Sequence, residues 1–429
     1  TIPKPLSELG YESLLLGKYH LGQKLEHLPT RAAGFDDYIG IPYCHNQCPC
    51  LEGPNRDCWD PPGVYVPPLP CPLLHGTRVV EQPATMKNIT QSLVESALAF
   101  MRRKRSEKKP YFLLLSLYHT HAYPFASEAQ WGRSLRGHYG DAVEELDWAV
   151  GQVLEEARAA NVEEHETAVI YTSDNGGAWP HRYELSGSTG PLRCGKGTLF
   201  EGGVRVPGIF WWPGRVGRGV EPTPMSQLDL LPTLVTWAGG SVHGREPLDG
   251  VDVSDVLLHG HKPARPRSFV WFGGPEVHAV RVGAFKVHYA LQGWGKSWER
   301  FPECGPDPSA GAGPQRLSPP WVFQIEHDPS ERFALEPSSA AHAEAVRLAE
   351  AAVREHLAVG SRRAPELDRA DDPTEQLCGC GQAPGAMSVA ARPNAAPAET
   401  CTCVADESGV GWWAQTATAV AARTAFRSR

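Results

Sequence analysis

The feature that most constrains the fold is a nearly continuous apolar run from Tyr111 to Tyr118, with the sequence YFLLLSLY. A strand that is apolar on both faces is typical of a parallel sheet that helices cover on both sides. Apolar residues recur at helical spacing on either side of this run, over residues 92–104 and 141–160. The alternation continues with strands over 167–172 and 206–212 and a helix over 225–237. This pattern predicts an α/β fold with a mainly parallel sheet flanked by helices, which we expect to occupy residues 1–260.

The pattern changes near residue 260. Short alternating segments over 268–272, 279–290 and 322–325 precede a helical pattern over 340–357. Alternation of apolar and polar residues is typical of antiparallel strands with one solvated face, so residues 261–360 are predicted to form a smaller antiparallel sheet with a helix. Residues 361–429 are rich in Ala, Pro, Gly and Arg, and we expect them to form a poorly ordered, Cys-containing tail.

Composition excludes some classes of function. The formal net charge of −8 offers no basic field for nucleic acid, and no apolar run reaches the roughly twenty residues that a transmembrane helix needs. Eleven cysteines, five of them from Cys44 to Cys71, suggest disulfides and an oxidising compartment, with a zinc knuckle as the alternative for the cluster. The sequon at Asn88 is consistent with glycosylation on a secretory route.

Several candidate site residues come directly after predicted strands. His121 follows the apolar run, and Asp174 and Asn175 follow the strand over 167–172. Because ligands bind outside the carboxyl ends of strands in open α/β sheets, these side chains should share one site. Asp and Asn offer oxygen ligands that suit Ca²⁺ or Mg²⁺, although an ordinary turn is the alternative. We take His121 as the candidate acid and neighbouring His119 as a packing residue.

Two lysines and a second histidine could bind an oxyanion beside these residues. Lys18 and His20 lie one residue apart between glycines, and on an extended stretch they would share one face. Lys196 lies in a glycine-flanked loop, which lets the backbone approach a ligand closely. Transfer of a tetrahedral anion needs such electrostatic clamps. Each residue taken singly could equally be a solvated surface group.

Three segments together resemble the sulfatase family, most closely its lysosomal arylsulfatase branch: Gly17-Lys18-Tyr19-His20-Leu21-Gly22, Asp174-Asn175-Gly176 and Gly195-Lys196-Gly197. The resemblance covers about residues 9–335 and implies an alkaline-phosphatase-like fold and hydrolysis of sulfate monoesters. It implies that Lys18, Lys196 and His121 bind sulfate and that His121 also protonates the leaving group. It places His20 beside the nucleophile and assigns Asp174 and Asn175 as Ca²⁺ ligands. It also implies a disulfide between Cys194 and Cys304.

Three departures from the family pattern bear on activity. No Cys has an Arg four residues later, so the Cys-x-Pro-Ser-Arg motif that yields the family's formylglycine nucleophile is absent from the 429 residues. The Asp-Asp pair that completes the Ca²⁺ site is also absent, since Asp36-Asp37 matches a different family segment. Cys44 stands where close relatives place a Ser that touches sulfate, which could alter substrate contact or reflect a local disulfide. We therefore expect an N-terminally truncated chain, with formylglycine upstream and a sheet that lacks one strand and exposes apolar edges.

The sequence thus predicts an arylsulfatase-type sulfuric ester hydrolase that uses one divalent cation, Ca²⁺ or Mg²⁺. Its substrate is expected to be a sulfated small molecule, lipid or glycan, and its location lysosomal or secreted; homo-oligomerisation stays open. One alternative is a catalytically inactive relative that binds sulfated ligands, which the missing nucleophile favours. Another is a phosphoesterase of the wider superfamily, which would need a Ser or Thr nucleophile and more metal ligands.

Overall fold

The computed structural model describes residues 1–22, 25–45, 71–121, 124–164, 167–178, 187–242, 248–265, 267–293, 302–306 and 313–359. The predicted tail over 361–429 and most of the cysteine-rich segment lie outside these described residues. The two ends of that segment are described: Cys44 is a free thiol, and Cys71 is disulfide-bonded.

The larger part of the fold is built on a five-stranded sheet in the order β4-β3-β2-β1-β5. Its strands are β1 (Glu12–Gly17), β2 (Asp37–Gly40), β3 (Leu73–His75), β4 (Arg78–Glu81) and β5 (Tyr111–Ser116). β1 runs parallel to both neighbours, with Leu15 beside Tyr38 of β2 and Leu114 of β5. β3 and β4 add an antiparallel edge. The sheet is therefore mixed, with its parallel strands at β2, β1 and β5.

Helices cover this sheet and supply much of the core. The helices are α1 (Pro3–Ser7), α2 (Met86–Glu107), α3 (Gly137–Glu164), α4 (Glu201–Val204), α5 (Leu230–Trp237) and α6 (Ser254–His259). In α2 the apolar residues recur at helical spacing, so Leu93, Ala97 and Phe100 pack in one cluster with Leu14 and Leu16 of β1. α2 and α3 confirm the helices predicted over 92–104 and 141–160, and α5 confirms the later half of the one over 225–237.

The sheet is interrupted after β5. β6 (Val169–Thr172) and β7 (Gly208–Trp211) form a separate antiparallel pair. Within the described residues, β5 pairs only with β1, and Leu114 of β5 is 40% exposed while Ile209 of β7 is 57% exposed. β5 therefore has an unpaired edge with an exposed apolar residue, Leu114, which lines the cavity next to it, and the expected lack of a strand stays a prediction. The apolar run of β5 predicts a strand that is covered on both faces, but most of its residues are only half-buried, because the described chain leaves a cleft between β5 and β6.

The C-terminal part forms a second sheet in the order β11-β10-β9-β8. Its strands are β8 (Ser268–Gly273), β9 (Glu276–Val282), β10 (Phe285–Leu291) and β11 (Gln315–Gln324), all antiparallel to their neighbours. α7 (Ala340–Val359) packs on this sheet, with Ala345 and Ala349 in one cluster with Val280 and Val287. The predicted antiparallel sheet with a helix is confirmed, except that the segment over 279–290 comprises parts of two strands.

Candidate active site

The predicted site residues converge at the carboxyl ends of β1, β5 and β6, around a cavity of about 1520 Å³. The residues that line its polar mouth are Lys18, His20, His121, Asp174, Asn175 and Lys196. Below this mouth the cavity continues as the cleft between β5 and β6, where apolar side chains of both strands and of α3 line it. The strand ends thus gather residues that are distant in sequence into one site.

A close approach of β1 to β5 positions Lys18 and His20. A Cβ on Gly17 would lie 2.0 Å from the carbonyl oxygen of Ser116, and Gly17 has a φ of +101°, so glycine is required there. The N–H of Lys18 donates to the same carbonyl at 2.8 Å. His20 has a φ of +56° and donates from its N–H to the carbonyl of Pro42 at 2.8 Å. β1 ends at Gly17, so the stretch from Lys18 to His20 is not an extended strand, but both side chains still line the same cavity.

The two histidines after β5 lie in different surroundings. The ring of His119 is buried, and its Nε2 lies 3.1 Å from Glu145 Oε1 and 2.9 Å from Thr90 Oγ1. Both histidines line the cavity, but His121 Nε2 lies 3.5 Å from Lys196 Nζ at its mouth. The geometry is therefore consistent with packing by His119 and with a role in the site for His121.

Backbone contacts hold Lys196 next to the candidate cation ligands. The N–H of Lys196 donates to the carbonyl of Gly177 at 2.9 Å, and the N–H of Gly176 donates to the carbonyl of Gly203 at 3.0 Å. A Cβ on Gly176 would lie 1.8 Å from the carbonyl oxygen of Gly202, so the Lys196 loop packs directly on the turn after β6. A side chain at position 176 would separate the two.

Asp174 and Asn175 place oxygen atoms at the mouth without making a complete cation site. The side chain of Asp174 is 68% exposed, and its Oδ2 lies 3.8 Å from Lys18 Nζ. Asn175 donates from Nδ2 to the carbonyl of Gly176 at 2.9 Å, so its amide group is oriented by the turn. Ca²⁺ takes about six to eight oxygen ligands. No group of three or more His, Cys, Asp or Glu within the described residues is placed to hold a metal ion. Asp174 and Asn175 can therefore supply only part of the oxygen ligands that a Ca²⁺ ion needs.

Cys44 lies inside the pocket. Its thiol is free and 6% exposed, and Sγ lies 3.3 Å from His20 Nδ1 and 4.0 Å from His121 Nε2. Of the two explanations for Cys44, substrate contact is therefore the one that the geometry favours. His45, which no motif indicated, also lines the pocket: it is 3% exposed, and its ring meets that of His121 edge-on at 5.7 Å between centroids. The only sequence feature that pointed to His45 was its position next to Cys44.

The disulfide that the resemblance implied is present: Cys194 and Cys304 are joined, with their Cα atoms 5.9 Å apart. Asn88 is exposed on α2, and its modification stays a prediction. The hydroxyl of the sequon's Thr90 is buried against His119.

The electrostatics of the mouth favour an anion. Burial lowers the pKa of His20, the charges of Lys18 and Lys196 lower it further, and the charge of Asp174 acts in the opposite direction. The free pocket therefore favours a neutral His20 ring, which can accept a proton. A bound anion would offset the repulsion among the cationic groups.

Comparison with known proteins identifies the family. A profile of the Sulfatase family matches residues 1–241, and a profile described as the C-terminal region of aryl-sulfatase matches residues 264–387. N-acetylgalactosamine-6-sulfatase of Canis lupus familiaris is 34% identical over 384 residues, which cover 86% of this chain and 70% of that protein. Arylsulfatase A of Homo sapiens is 36% identical over 350 residues, covering 78% of this chain and 66% of that protein. The chain belongs to the sulfatase family, whose members are sulfuric ester hydrolases.

Solved structures support the fold. The PsFucS1 sulfatase from Pseudoalteromonas sp. superposes with a TM-score of 0.67 at 23% identity, covering 84% of this chain and 72% of that chain. Ps i-CgsB, also solved in complex with k-i-k-neocarrahexaose, gives a TM-score of 0.61 at 26% identity, covering 82% and 73%. These likenesses confirm the predicted alkaline-phosphatase-like α/β fold with a separate antiparallel sheet. None of the helices in the described part of the chain is long and apolar enough to cross a membrane.

Proposed function

We propose that this protein is an arylsulfatase-type enzyme that cleaves sulfate monoesters with a formylglycine nucleophile and one divalent cation, Ca²⁺ or Mg²⁺. The observation that carries the proposal is the convergence of Lys18, His20, His121 and Lys196 on one cavity mouth. These residues come from three separate segments, and they provide the positive charge and the proton donor that sulfuryl transfer needs. Membership in the sulfatase family supports the reaction class.

Each of the four side chains has a role that its position supports. Lys18 and Lys196 bind the sulfate oxygens as point charges. Because His121 Nε2 lies 3.5 Å from Lys196 Nζ, a sulfate ester held by Lys196 is within reach of His121, which gives its proton to the leaving oxygen. His20 favours the neutral form in the free pocket, so it accepts the proton that is released when sulfate is eliminated.

We propose that the formylglycine and the remaining cation ligands lie upstream of Thr1. When present, the formylglycine hydrate supplies the oxygen nucleophile and the cation neutralises sulfate charge. The interruption of the sheet supports this placement, because a strand between β5 and β6 would cover both apolar edges and would end at the mouth. Asp174 and Asn175 would hold the cation from the side of β6.

The substrate that we propose is a sulfated glycan, with sulfated lipids and small molecules as the other candidates. Two comparisons support this choice. One relative is named for N-acetylgalactosamine 6-sulfate, and the solved Ps i-CgsB complex contains a neocarrahexaose. Release of sulfate from N-acetylgalactosamine 6-sulfate, measured beside release from an aryl sulfate, tests the class.

The central experiment is hydrolysis of 4-nitrophenyl sulfate by protein expressed with the coding sequence upstream of Thr1. His121→Gln and Lys196→Met are expected to lower kcat/KM by about 100-fold or more, because they remove a proton donor and a sulfate ligand. The matched controls are His327→Gln and Lys109→Met, which change exposed residues outside the cavity and should leave kcat/KM unchanged.

Other outcomes would replace the proposal. Hydrolysis of 4-nitrophenyl phosphate but not of the sulfate would identify a phosphoesterase. Saturable binding of the sulfate ester without turnover by the longer protein would identify an inactive, ligand-binding relative. The observation that favours this second candidate is the absence of the formylglycine motif from the 429 residues.

We also propose that the protein is lysosomal or secreted. The Cys194–Cys304 disulfide and the exposed sequon at Asn88 suit an oxidising secretory route. A loss of mass on treatment with an N-glycosidase, absent in Asn88→Gln, is the expected result. An unchanged mass in the unaltered protein would remove this support.

A further inference from the structure

Four buried side chains outside the cavity form one network where the C-terminal sheet meets the Lys196 loop. They are Glu201, Lys286, His288 and Glu331, and none is more than 2% exposed. Lys286 Nζ lies 2.9 Å from Glu201 Oε1 and 3.5 Å from Glu331 Oε1, and His288 Nε2 lies 2.7 Å from Glu331 Oε1. Lys286 and His288 belong to β10, whereas Glu201 begins α4 directly after the loop. The proposed mechanism uses none of the four.

The network holds the end of the loop through its backbone. The N–H of Glu201 donates to Glu331 Oε2, and the Glu201 carboxylate is held by Lys286. The position where the Lys196 loop enters α4 is therefore fixed by two residues of the C-terminal part.

A second set of contacts holds the beginning of the same loop. Arg193 donates from Nη1 to the carbonyl of Glu331 and from Nη2 to the carbonyl of Glu303, each at 2.9 Å. The disulfide described above fixes the next residue to the same region. Lys196 therefore lies between Arg193 and Glu201, and residues of the C-terminal part hold the chain at both of these positions.

Backbone strain occurs at the same contacts. Cys194 has a φ of +58° and Glu331 a φ of +49°, in the left-handed region that residues other than glycine rarely adopt. Such conformations cost free energy and persist only where the surroundings over-determine them, most often at functional sites. Both residues are buried, at 3% and 0% exposure.

Stability alone is a poor reason for such a network. Buried ion pairs lose the solvation of both charges, and apolar side chains of similar size are often equally or more stabilising. What the charged groups add is a fixed geometry, because each hydrogen bond has a required direction.

We propose that Glu201, Lys286, His288 and Glu331, the loop clamp, position Lys196 for contact with the sulfate group. This inference rests on the proposed function, because it assigns the clamp to the same anion site. It makes the C-terminal sheet part of the machinery that binds substrate.

The test measures the dissociation constant of 4-nitrophenyl sulfate for the full chain by equilibrium titration. Glu331→Gln leaves one side-chain oxygen, so either the N–H of Glu201 or the pair Lys286 and His288 loses its acceptor; the loop end should shift and binding should weaken about tenfold. The matched control is His342→Phe, which removes a buried hydrogen bond to Pro320 from the same part of the protein. It should lower the melting temperature similarly but leave binding within about twofold.

A double-mutant cycle separates positioning from general damage. Lys196→Met should weaken binding by itself, and Glu331→Gln should add nothing in that background, because the clamp acts through Lys196. Independent, multiplying effects in the double variant, or an equal loss in His342→Phe, would overturn the inference. Unchanged binding in Lys196→Met would instead refute the proposed role of Lys196 itself.

A second variant and a second measurement keep the proposal testable if Glu331→Gln does not fold. His288→Phe retains an aromatic ring next to Phe200, whose centroid lies 4.7 Å away, and removes the hydrogen bond to Glu331. Amide hydrogen exchange over residues 195–200 should be faster in this variant than in His342→Phe. Equal exchange in the two variants contradicts the inference.

Discussion

Removing the disulfide between Cys194 and Cys304 should strongly destabilise the protein. The two cysteines are separated by 110 residues, and in the chain-entropy model a loop of that length corresponds to about 5 kcal/mol of stabilisation. Their side chains are 3% and 2% exposed and pack with Phe200 and Phe323, so water does not replace the lost contacts easily. Other contacts at this place, such as those of Arg193, would keep part of the native geometry. We therefore expect the double variant Cys194→Ala/Cys304→Ala to lose about 3–5 kcal/mol.

Equilibrium urea unfolding gives the measurement. Tryptophan fluorescence and far-ultraviolet circular dichroism should be recorded on the same samples, because coincident transitions are needed for a single free energy of unfolding. The expected loss corresponds to a shift of the midpoint on the order of 1 M urea. Cys44→Ala is the matched control, because it removes a similarly buried sulfur, 6% exposed, without opening a cross-link.

A particular result would refute the reasoning. If the double variant lost less than about 1 kcal/mol with an unchanged slope, or no more than Cys44→Ala, the cross-link would not constrain the unfolded chain as the loop length requires. The same variant also tests attachment of the Lys196 loop, since its affinity for 4-nitrophenyl sulfate should fall while that of Lys109→Met, which changes an exposed residue outside the cavity, should not.

Three further predictions follow from individual side chains. Leu16→Ala, at 0% exposure in the core, should cost about 2–5 kcal/mol in urea unfolding, whereas Leu114→Ala, at 40% exposure, should cost less than about 1 kcal/mol; equal losses would contradict the open edge of β5. Iodoacetate should alkylate Cys44 of the folded chain, with the thiol proton passing to His20 and iodide leaving. Inorganic sulfate should slow this reaction. If sulfate had no effect on labelling, Cys44 would not belong to the anion pocket. The pKa of His20 is lowered in the free pocket by burial and then by Lys18 and Lys196, and a bound anion should raise it. Anion binding should therefore be accompanied by proton uptake, and the affinity for the anion should rise as the pH falls through the pKa that His20 has in the complex. Calorimetry in buffers of different ionisation enthalpy should show less proton uptake in His20→Gln, and equal uptake in both proteins would contradict this.

The long, periodic elements of the fold could be predicted from the sequence. α2, α3 and α7 have enough apolar positions to define a helical face, and β5 has a long apolar run. β1 to β4 were not predicted, because their apolar runs are only two or three residues long. β3 and β4 also follow a segment whose many prolines and cysteines obscure local patterns. The division at residue 260 and the roles of the site residues stay predictions.

Within the site, local motifs were easier to predict than distant contacts. Lys196, His121 and Asp174 were found because each follows a recognisable pattern of glycines or a strand end. The contact of Cys44 with His20 depends on how β2 and β1 end side by side, which no single motif specifies. The network around Glu331 joins residues up to 130 positions apart, so sequence spacing contains no signal for it.

The polar mouth and the apolar cleft can coexist because different contacts hold them. Lys18 and His121 are fixed by backbone hydrogen bonds at the ends of β1 and β5, which remain paired with each other. The Lys196 loop is held from the opposite direction, by the turn after β6 and, at Glu201, by Glu331 of the C-terminal part. None of these contacts crosses the cleft between β5 and β6. Under the proposed function, a strand inserted there would fill a gap beneath these residues, and it would add the nucleophile and further oxygen ligands for the cation.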